Sequence, residues 1–342
     1  MKKILLPLIV VTIAVIFTSC GNAGNNAAEK LMEKPGSSGA TYEMLVVCGD
    51  KVWESSIGDE IRNYFNQSDS TINQNEPLYT TPHITQATFD KNTMFQNHRN
   101  VLQVVIDPSN DPKVQKIVNK HSQPQRIFRF TVRNEAEFKK LFDDYKATIY
   151  SSYVEAERIR INRFFNQQRD GKMSHFLNEK FGLTLTMPNG FRVAKDANDF
   201  VWLWRQTPKV DYGIMVYTEQ YRDTSQLDPR AVIQLRDILT FEHIPGDLPE
   251  SYMQVVTDKF PVASYPTIFN GIYATELRGL WETRKDFMGG PFLHYAIVDE
   301  QNNRIIHLDA FLYAPGQDKR DELLQLEAIL YTLKITPPES AE

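Results

Sequence analysis

Cysteine is nearly absent from this chain: two occur in 342 residues, Cys20 and Cys48, too few for a disulfide framework. Seven histidines are present, yet none is paired at metal-ligand spacing on a helix. There is no His-Glu-x-x-His and no Cys-x-x-Cys, which removes the sequence signatures of a zinc site. A Gly-x-Ser-x-Gly elbow and a glycine-rich phosphate loop are also missing. Acidic residues are plentiful, but no pair is spaced to suggest a glycosidase dyad. Asp107-Pro108-Ser109-Asn110-Asp111 imitates the start of a calcium loop. However, Pro112 stands where that loop needs glycine and Val118 where it needs glutamate. Strong charge is lacking too: 38 basic against 43 acidic side chains leave −5, no field that would draw nucleic acid. After residue 20 no apolar run is long enough to cross a bilayer as a helix. The sequence names no reaction and implies no cofactor.

What is present at the start is an address. Lys2 and Lys3 precede the apolar run Ile4 to Phe17, interrupted by Pro7 and Thr12. The run is too short to span a membrane comfortably and ends in small residues, as a signal peptide does. Phe17-Thr18-Ser19-Cys20 resembles the bacterial lipobox, in which the cysteine thiol is diacylated and the peptide is cut before it. That resemblance implies a signal peptide over 1–19 and lipidation, with palmitate, at Cys20. Two acyl chains anchor stably where one binds reversibly. An ordinary secretory signal with an incidental cysteine, or an uncleaved anchor, is the alternative. Gly21 follows the cysteine where inner-membrane retention would use Asp. The next residues, Gly-Asn-Ala-Gly-Asn-Asn, lack the acidic patch that resembles a surface-export signal in Bacteroidota lipoproteins. The expected location is therefore the outer membrane, facing the periplasm. Removing 1–19 takes two of the 38 basic residues and none of the acidic ones, so the formal charge moves from −5 to about −7. Cys48 is then the only thiol, and in Met44-Leu45-Val46-Val47-Cys48 it reads as a small buried apolar residue.

The rest divides by composition and periodicity. Residues 20–41 carry the lipidated cysteine and an Asn, Gly, Ala and Ser-rich flexible tether. Residues 42–133 read as an N-terminal α+β domain: a strand over 42–48, a helix over 53–66, an edge strand over 83–89 and a strand over 101–106. A helix opened by Asp111-Pro112 and a strand over 126–132 complete it. That order matches the ferredoxin-like βαββαβ unit. Residues 134–171 read as one long connecting helix. Asn134 and Glu137 make its capping pattern, Gly171 stops it, and its length is roughly 50 Å. Its apolar positions Phe138, Phe142, Tyr145, Ile149 and Tyr153 should face the first domain, and Phe164 and Phe165 the second, with the arginines in solvent.

Residues 172–335 form a C-terminal α+β domain: a strand and then a Pro-Asn-Gly turn within 181–191, strands over 200–204, 212–217, 272–282, 292–298 and 304–313, a helix capped by Asp228-Pro229, and a closing helix over 318–333. The last two strands read as a hairpin around Gln301-Asn302-Asn303. The strand ending Met187-Pro188-Asn189-Gly190-Phe191, with that hairpin and helix, resembles the PsbP-like α/β/α sandwich. From the lipobox through Val47-Cys48-Gly49-Asp50 to Gly279-Leu280-Trp281-Glu282, the chain resembles a family of Bacteroidota lipoproteins of the 4837 series of domains of unknown function. That resemblance implies a fold and an address but no activity.

Three sets of side chains are candidates for function. His307 and Asp309 lie two apart on a strand and share a face, and a hairpin turn near 301–302 brings His294 across from them. The set suits a divalent metal, or else is a solvated sheet face with a salt bridge. Trp202 and Trp204 share a strand face and suit stacking on a sugar or peptide, or else belong to the core. Arg158, Arg160 and Arg163 make the later part of the long helix basic, a surface for anionic lipid or a protein partner, or else a solvated face matched to the helix dipole. Together these features point to a non-catalytic binding or assembly component of the envelope, held to the membrane by its lipid and possessing an envelope protein partner. A lipid-anchored hydrolase acting on an envelope polymer is the alternative. Cys20→Ala should abolish metabolic lipid labelling and move the protein out of the outer-membrane fraction. A mutant still cut at residue 19 and still in that fraction contradicts the lipobox reading.

Overall fold

The computed structural model describes residues 34–337; the signal segment, Cys20 and most of the tether lie outside them. The N-terminal half runs β1 (Leu45–Val47), α1 (Asp50–Trp53), α2 (Ser56–Phe65), β2 (His83–Ile84), α3 (Gln86–Lys91), α4 (Thr93–Gln96), β3 (Asn100–Ile106), β4 (Lys113–Val118) and β5 (Arg126–Val132). The long helix α5 (Glu135–Gln167) follows. After it come α6 (Gly171–Phe181), β6 (Leu183–Thr184), β7 (Arg192–Ala197), β8 (Phe200–Gln206), β9 (Asp211–Gln220) and α7 (Pro229–His243). The chain closes with β10 (Tyr252–Val255), β11 (Ala263–Phe269), β12 (Ile272–Arg284), β13 (Gly289–Asp299), β14 (Arg304–Tyr313), α8 (Arg320–Leu330) and β15 (Lys334–Ile335).

The class is α+β, but the first sheet differs from a ferredoxin-like one. Its order is β2-β1-β3-β5-β4, with β2, β1, β3 and β5 mutually parallel and only the edge strand β4 antiparallel. Two local features redirect the chain. Thr85, expected in an edge strand over 83–89, accepts a hydrogen bond from the Thr88 amide and starts α3, so β2 keeps only two residues. The stretch after Asp111-Pro112 is a strand, not a helix. Val114, Ile117 and Val118 are β-branched and suit a pleated edge, while Asp107 closes a turn by accepting from the Ser109 amide and from Asn110. The fold also starts inside the expected tether of 20–41. Gly36 bridges Gln123 and Ser38 bridges His98, and Arg160 donates to Ser37 Oγ at 2.9 Å. Small polar residues there serve as backbone hydrogen-bond partners, which composition alone reads as flexibility.

α5 begins as its sequence dictates, with Asn134 accepting from the Glu137 amide at 3.0 Å. It ends at Gln167, and Asp170 caps a new helix through the Lys172 and Met173 amides, so Gly171 starts α6 where a stop was expected. Gly182, at φ 60°, supplies the left-handed residue that ends α6. One face of α5 buries Phe138, Phe142, Ile149 and Tyr153 against α2 and the first sheet. Tyr145 is 39% exposed, outside that stripe. Phe165 enters the second core, whereas Phe164 is 54% exposed.

The second sheet has eight antiparallel strands in the order β10-β12-β13-β14-β9-β8-β7, with β11 also paired to β12. Of the strand expected before the Pro188-Asn189-Gly190 turn only β6 forms, pairing with β15. Leu293, Tyr295 and Ile297 on β13 and Ile306, Leu308 and Ala310 on β14 share a core with Phe165 and with residues of α6 and α8. The opposite face packs on α7 through Val232, Leu277, Phe292 and Phe311. Helices cover both faces, which is the α/β/α layering implied by the PsbP-like resemblance. β13 and β14 are consequently buried on both sides, and every polar side chain on them needs a protein partner. Phe142→Ala should lower stability by about 3–5 kcal/mol in urea denaturation, and Tyr145→Ala by about 0.5 kcal/mol. Equal losses would contradict this orientation of α5.

Candidate functional site

The three histidine-strand residues do meet, and they meet in the dry interior. His294 pairs with Asp309 across the β13–β14 ladder, and His294, His307 and Asp309 are all 0% exposed. The solvated face expected as one alternative is in fact covered by α7. Arg236 on α7 donates through Nε to Asp309 Oδ2 at 2.8 Å and through Nη2 to Oδ1 at 3.3 Å. Asp309 Oδ2 lies 3.0 Å from His294 Nδ1, His294 Nε2 lies 3.1 Å from His307 Nδ1, and His307 Nε2 lies 3.2 Å from Glu219 Oε1. These contacts make one hydrogen-bonded series from the core to a carboxylate near the end of β9.

Counting protons shows what the series needs. The two carboxylates only accept when ionised, so both outer imidazole nitrogens must carry hydrogen. The contact between the rings needs a third hydrogen, and two neutral imidazoles hold only two. The series is satisfied when the pair carries one extra proton, which with Arg236, Asp309 and Glu219 makes the whole set neutral. Burial pushes His307 down to about 4, which favours the neutral ring there. Burial alone would raise Asp309, but Arg236 and then His294 hold it below the ordinary carboxylate range. Burial likewise opposes ionisation of Glu219, and hydrogen bonds from His307 and Gln226 prevail. For a metal the set fits poorly: both nitrogens of His294 are engaged, and Arg236 occupies the position a cation would take beside Asp309. Among the described residues no group of three or more His, Cys, Asp or Glu side chains is arranged to hold a metal ion.

A second polar cluster lies where the two halves meet. A cleft of about 460 Å³ opens between α5, α8 and β11–β12. At its base Glu327 of α8 accepts from Arg158 of α5 at 2.9 Å, from Arg278 of β12 at 2.9 Å and from the Tyr295 hydroxyl at 3.2 Å. Arg278 also reaches Glu276 at 2.5 Å, and the Arg158 guanidinium lies 3.6 Å from the Tyr331 ring centroid. Burial disfavours both charges of the central pair. Even so, Arg278 and Arg158 hold the Glu327 carboxyl below its usual range, and Glu327 holds Arg158 above its own. The cleft walls add Tyr64, Tyr150 and the exposed ring of Tyr265.

The expected basic face is thus mostly absorbed into the fold. Arg158 is spent on Glu327, and Arg160 binds Glu157 at 2.5 Å and the Pro124 carbonyl at 2.9 Å. Of the three arginines only Arg163 is exposed. Arg158 and Arg160, two residues apart, point to opposite sides of α5 and are taken up by different halves, which the basic composition of the stretch does not show. Trp202 is buried, and its ring centroid lies 4.6 Å from that of the half-buried Trp204, in the core beneath α7. The Cys48 thiol is buried and pushed up to about 12 by that burial, as suits an inert packing residue. Sequence reasoning missed Arg236, Glu219, Glu327 and Arg278. One signal was available: Val232, Arg236 and Thr240 recur at four-residue steps and form the buried stripe of α7, and an arginine on such a stripe requires an acidic partner.

Residues 37–166 match a family described as a domain of unknown function (DUF8532), and residues 170–332 match another, a domain of unknown function (DUF4837). The series expected from the sequence is therefore found in the second half. No curated protein matches the chain. Solved structures similar over part of it include two of Mog1. The Saccharomyces cerevisiae Ran-binding protein Mog1p is 10% identical, with TM-score 0.28 over 46% of this chain and 91% of its own. A point mutant of Mog1 is also 10% identical, with TM-score 0.29 over 46% and 92%.

His307 binds its proton more weakly folded than unfolded, so the unfolded chain takes up more protons between its ordinary value of 6.5 and about 4. Stability from this group is full above that window and is lost as pH falls through it, by a maximum on the order of 3 kcal/mol. Urea midpoints at pH 7, 5.5 and 4.5 should fall in that order, and His307→Gln should flatten the trend. An unchanged slope in the variant assigns the loss to other groups.

Proposed function

We propose that the protein is a lipid-anchored outer-membrane component of a Bacteroidota cell. It faces the periplasm and binds a polar, hydroxyl-rich ligand of the envelope in the cleft between its halves. The anchor and location are supported by the Lys2-Lys3 start, the short apolar run and Phe17-Thr18-Ser19-Cys20, together with a non-acidic tether. One observation carries the binding role: the cleft base is a set of planar charged groups locked in place by one another, beneath tyrosine rings from both halves.

Arg158 and Arg278 balance Glu276 and Glu327, and Asp69 on the wall adds one further carboxylate, so the cleft does not select for an anionic ligand. Guanidinium and carboxylate edges fixed in a plane offer donor and acceptor pairs to adjacent hydroxyls. Tyrosine adds an apolar ring face with a polar edge. Because the ion pairs already hold these groups in place, little side-chain freedom is lost on binding. Such a ligand is most simply a glycan segment, and an envelope protein carrying one is the kind of partner the cleft would hold.

Tyr265 is 51% exposed at the rim, so Tyr265→Ala should leave the melting temperature unchanged. In co-sedimentation with purified murein sacculi or outer-membrane polysaccharide it should weaken retention about tenfold. Full retention by the variant removes the cleft as the binding site. Release of soluble fragments in a manner lost in Glu219→Gln would instead support the hydrolase reading.

A further inference from the structure

One charge in the cleft between the halves is left over by its ion-paired base. Arg158 and Arg278 are matched by Glu327 and Glu276, whereas Asp69 on the wall is a third carboxylate. Among the described residues no cation pairs with Asp69. Lys146, 5.5 Å from the Tyr64 ring centroid, is taken by Asp143 at 2.7 Å. Burial raises the Tyr150 hydroxyl above its ordinary range, Arg278 opposes that rise, and Asp69 and Glu327 add to it. Asp69 and the ion-paired base therefore act on the same tyrosine and face one space.

Asp69 is also held in position. Its Oδ1 accepts from the Thr71 amide at 2.8 Å and from the Thr71 hydroxyl at 2.6 Å. Its own amide donates to the Glu76 carbonyl at 2.9 Å, and the Glu76 side chain caps α8. The loop cannot swing away without uncapping that helix. Both lone pairs of Oδ1 are thus spent, and among the described residues nothing donates to Oδ2. A single fixed oxygen is selective. A guanidinium binds a carboxylate through both oxygens in a planar fork, and one of them is taken. A divalent metal needs several oxygen ligands, and Glu276 and Glu327 are committed to arginines. A primary ammonium needs only one oxygen for a charge-assisted hydrogen bond, and the faces of Tyr64 and Tyr265 attract its charge.

Given the binding role proposed above for the cleft, we propose that the glycan segment it holds carries a free primary amine. The ammonium donates to Asp69, and the neighbouring hydroxyls meet Glu276, Arg278 and Glu327. The probes are a tetrasaccharide of β-1,4-linked glucosamine and its fully N-acetylated form, compared by isothermal titration calorimetry on the full mature protein at pH 6. The amine form should bind about tenfold more tightly, and added salt should erode that advantage. Asp69→Asn keeps the Oδ1 acceptor, so it should leave the melting temperature and the binding of the acetylated form unchanged while removing the preference for the amine. Tetralysine, with the same number of side-chain amines but no ring hydroxyls, should bind no better than the acetylated sugar. Equal binding of the two sugars, a preference that survives Asp69→Asn, or tetralysine matching the amino sugar would overturn the assignment and leave the cleft as a glycan site. Binding of neither sugar would overturn it too, and Tyr265→Ala in the sacculus experiment then judges the cleft separately.

Discussion

Two neighbouring residues of α5, Glu157 and Arg158, are taken out of water in opposite directions, and the joining of the two halves depends on how each is compensated. Glu157 turns into the first half, where Arg99 and Asn100 each donate to it at 2.8 Å. Arg158 turns into the second half and meets Glu327, which also holds Arg278. A buried pair of this kind contributes little net stability when formed. Breaking it by removing one partner typically costs about 3–5 kcal/mol, because the other charge is stranded. The pairs therefore act as locks on geometry. They fix the rotation of α5 about its axis, the position of α8 beside it, and with these the shape of the cleft.

The same rule organises the second sheet. Its two central strands are covered on both faces, so polar residues there are tolerated only as a closed set. The Arg236–Asp309–His294–His307–Glu219 series meets that condition with one shared proton and no net charge. Its outer end is the least closed: Glu219 is 22% exposed at the side chain and is braced by Gln226 at 2.5 Å. Five residues from α7, β9, β13 and β14 are bound into one register this way. Apolar packing alone would specify that register less sharply, since a slip of one residue would exchange only similar side chains between faces.

Much of the fold was legible wherever a local rule decides the outcome. Asn134 capping α5, Asp228-Pro229 opening α7 and the hairpin that sets His294 opposite Asp309 all follow from neighbours in the chain. Reading failed where the deciding partner is distant. Nothing near Arg160 announces Ser37 and Pro124, 123 and 36 residues away, and the alternation of His307 and Asp309 cannot say whether α7 covers them. Residues 113–118 were misread because an Asp-Pro start outweighed three β-branched residues. Tyr145 was misread because it falls near the edge of a stripe whose centre lies at Phe138, Phe142 and Ile149. The cleft was illegible as a site because its residues come from five elements, α2, α5, β11, β12 and α8, none bearing a motif.

Sequence families meet between residues 166 and 170, yet the interactions cross that line in both directions. The first amides of α8 have no capping side chain of their own. Glu76, in the loop after α2, reaches across to accept from the Lys319 amide at 2.8 Å and the Arg320 amide at 3.0 Å. A carboxylate at a helix N-terminus satisfies free donors and opposes the helix dipole, so the first half completes a helix of the second. Leu324 of that helix in turn belongs to the core formed by the first sheet, α2 and α5. A cut at residue 168 would leave α8 uncapped, Glu327 without Arg158, and Leu324 facing water. The residues from Pro35 onward accordingly form one compact unit, and a cleft floored by groups from both halves is held open by the contacts that keep those halves together.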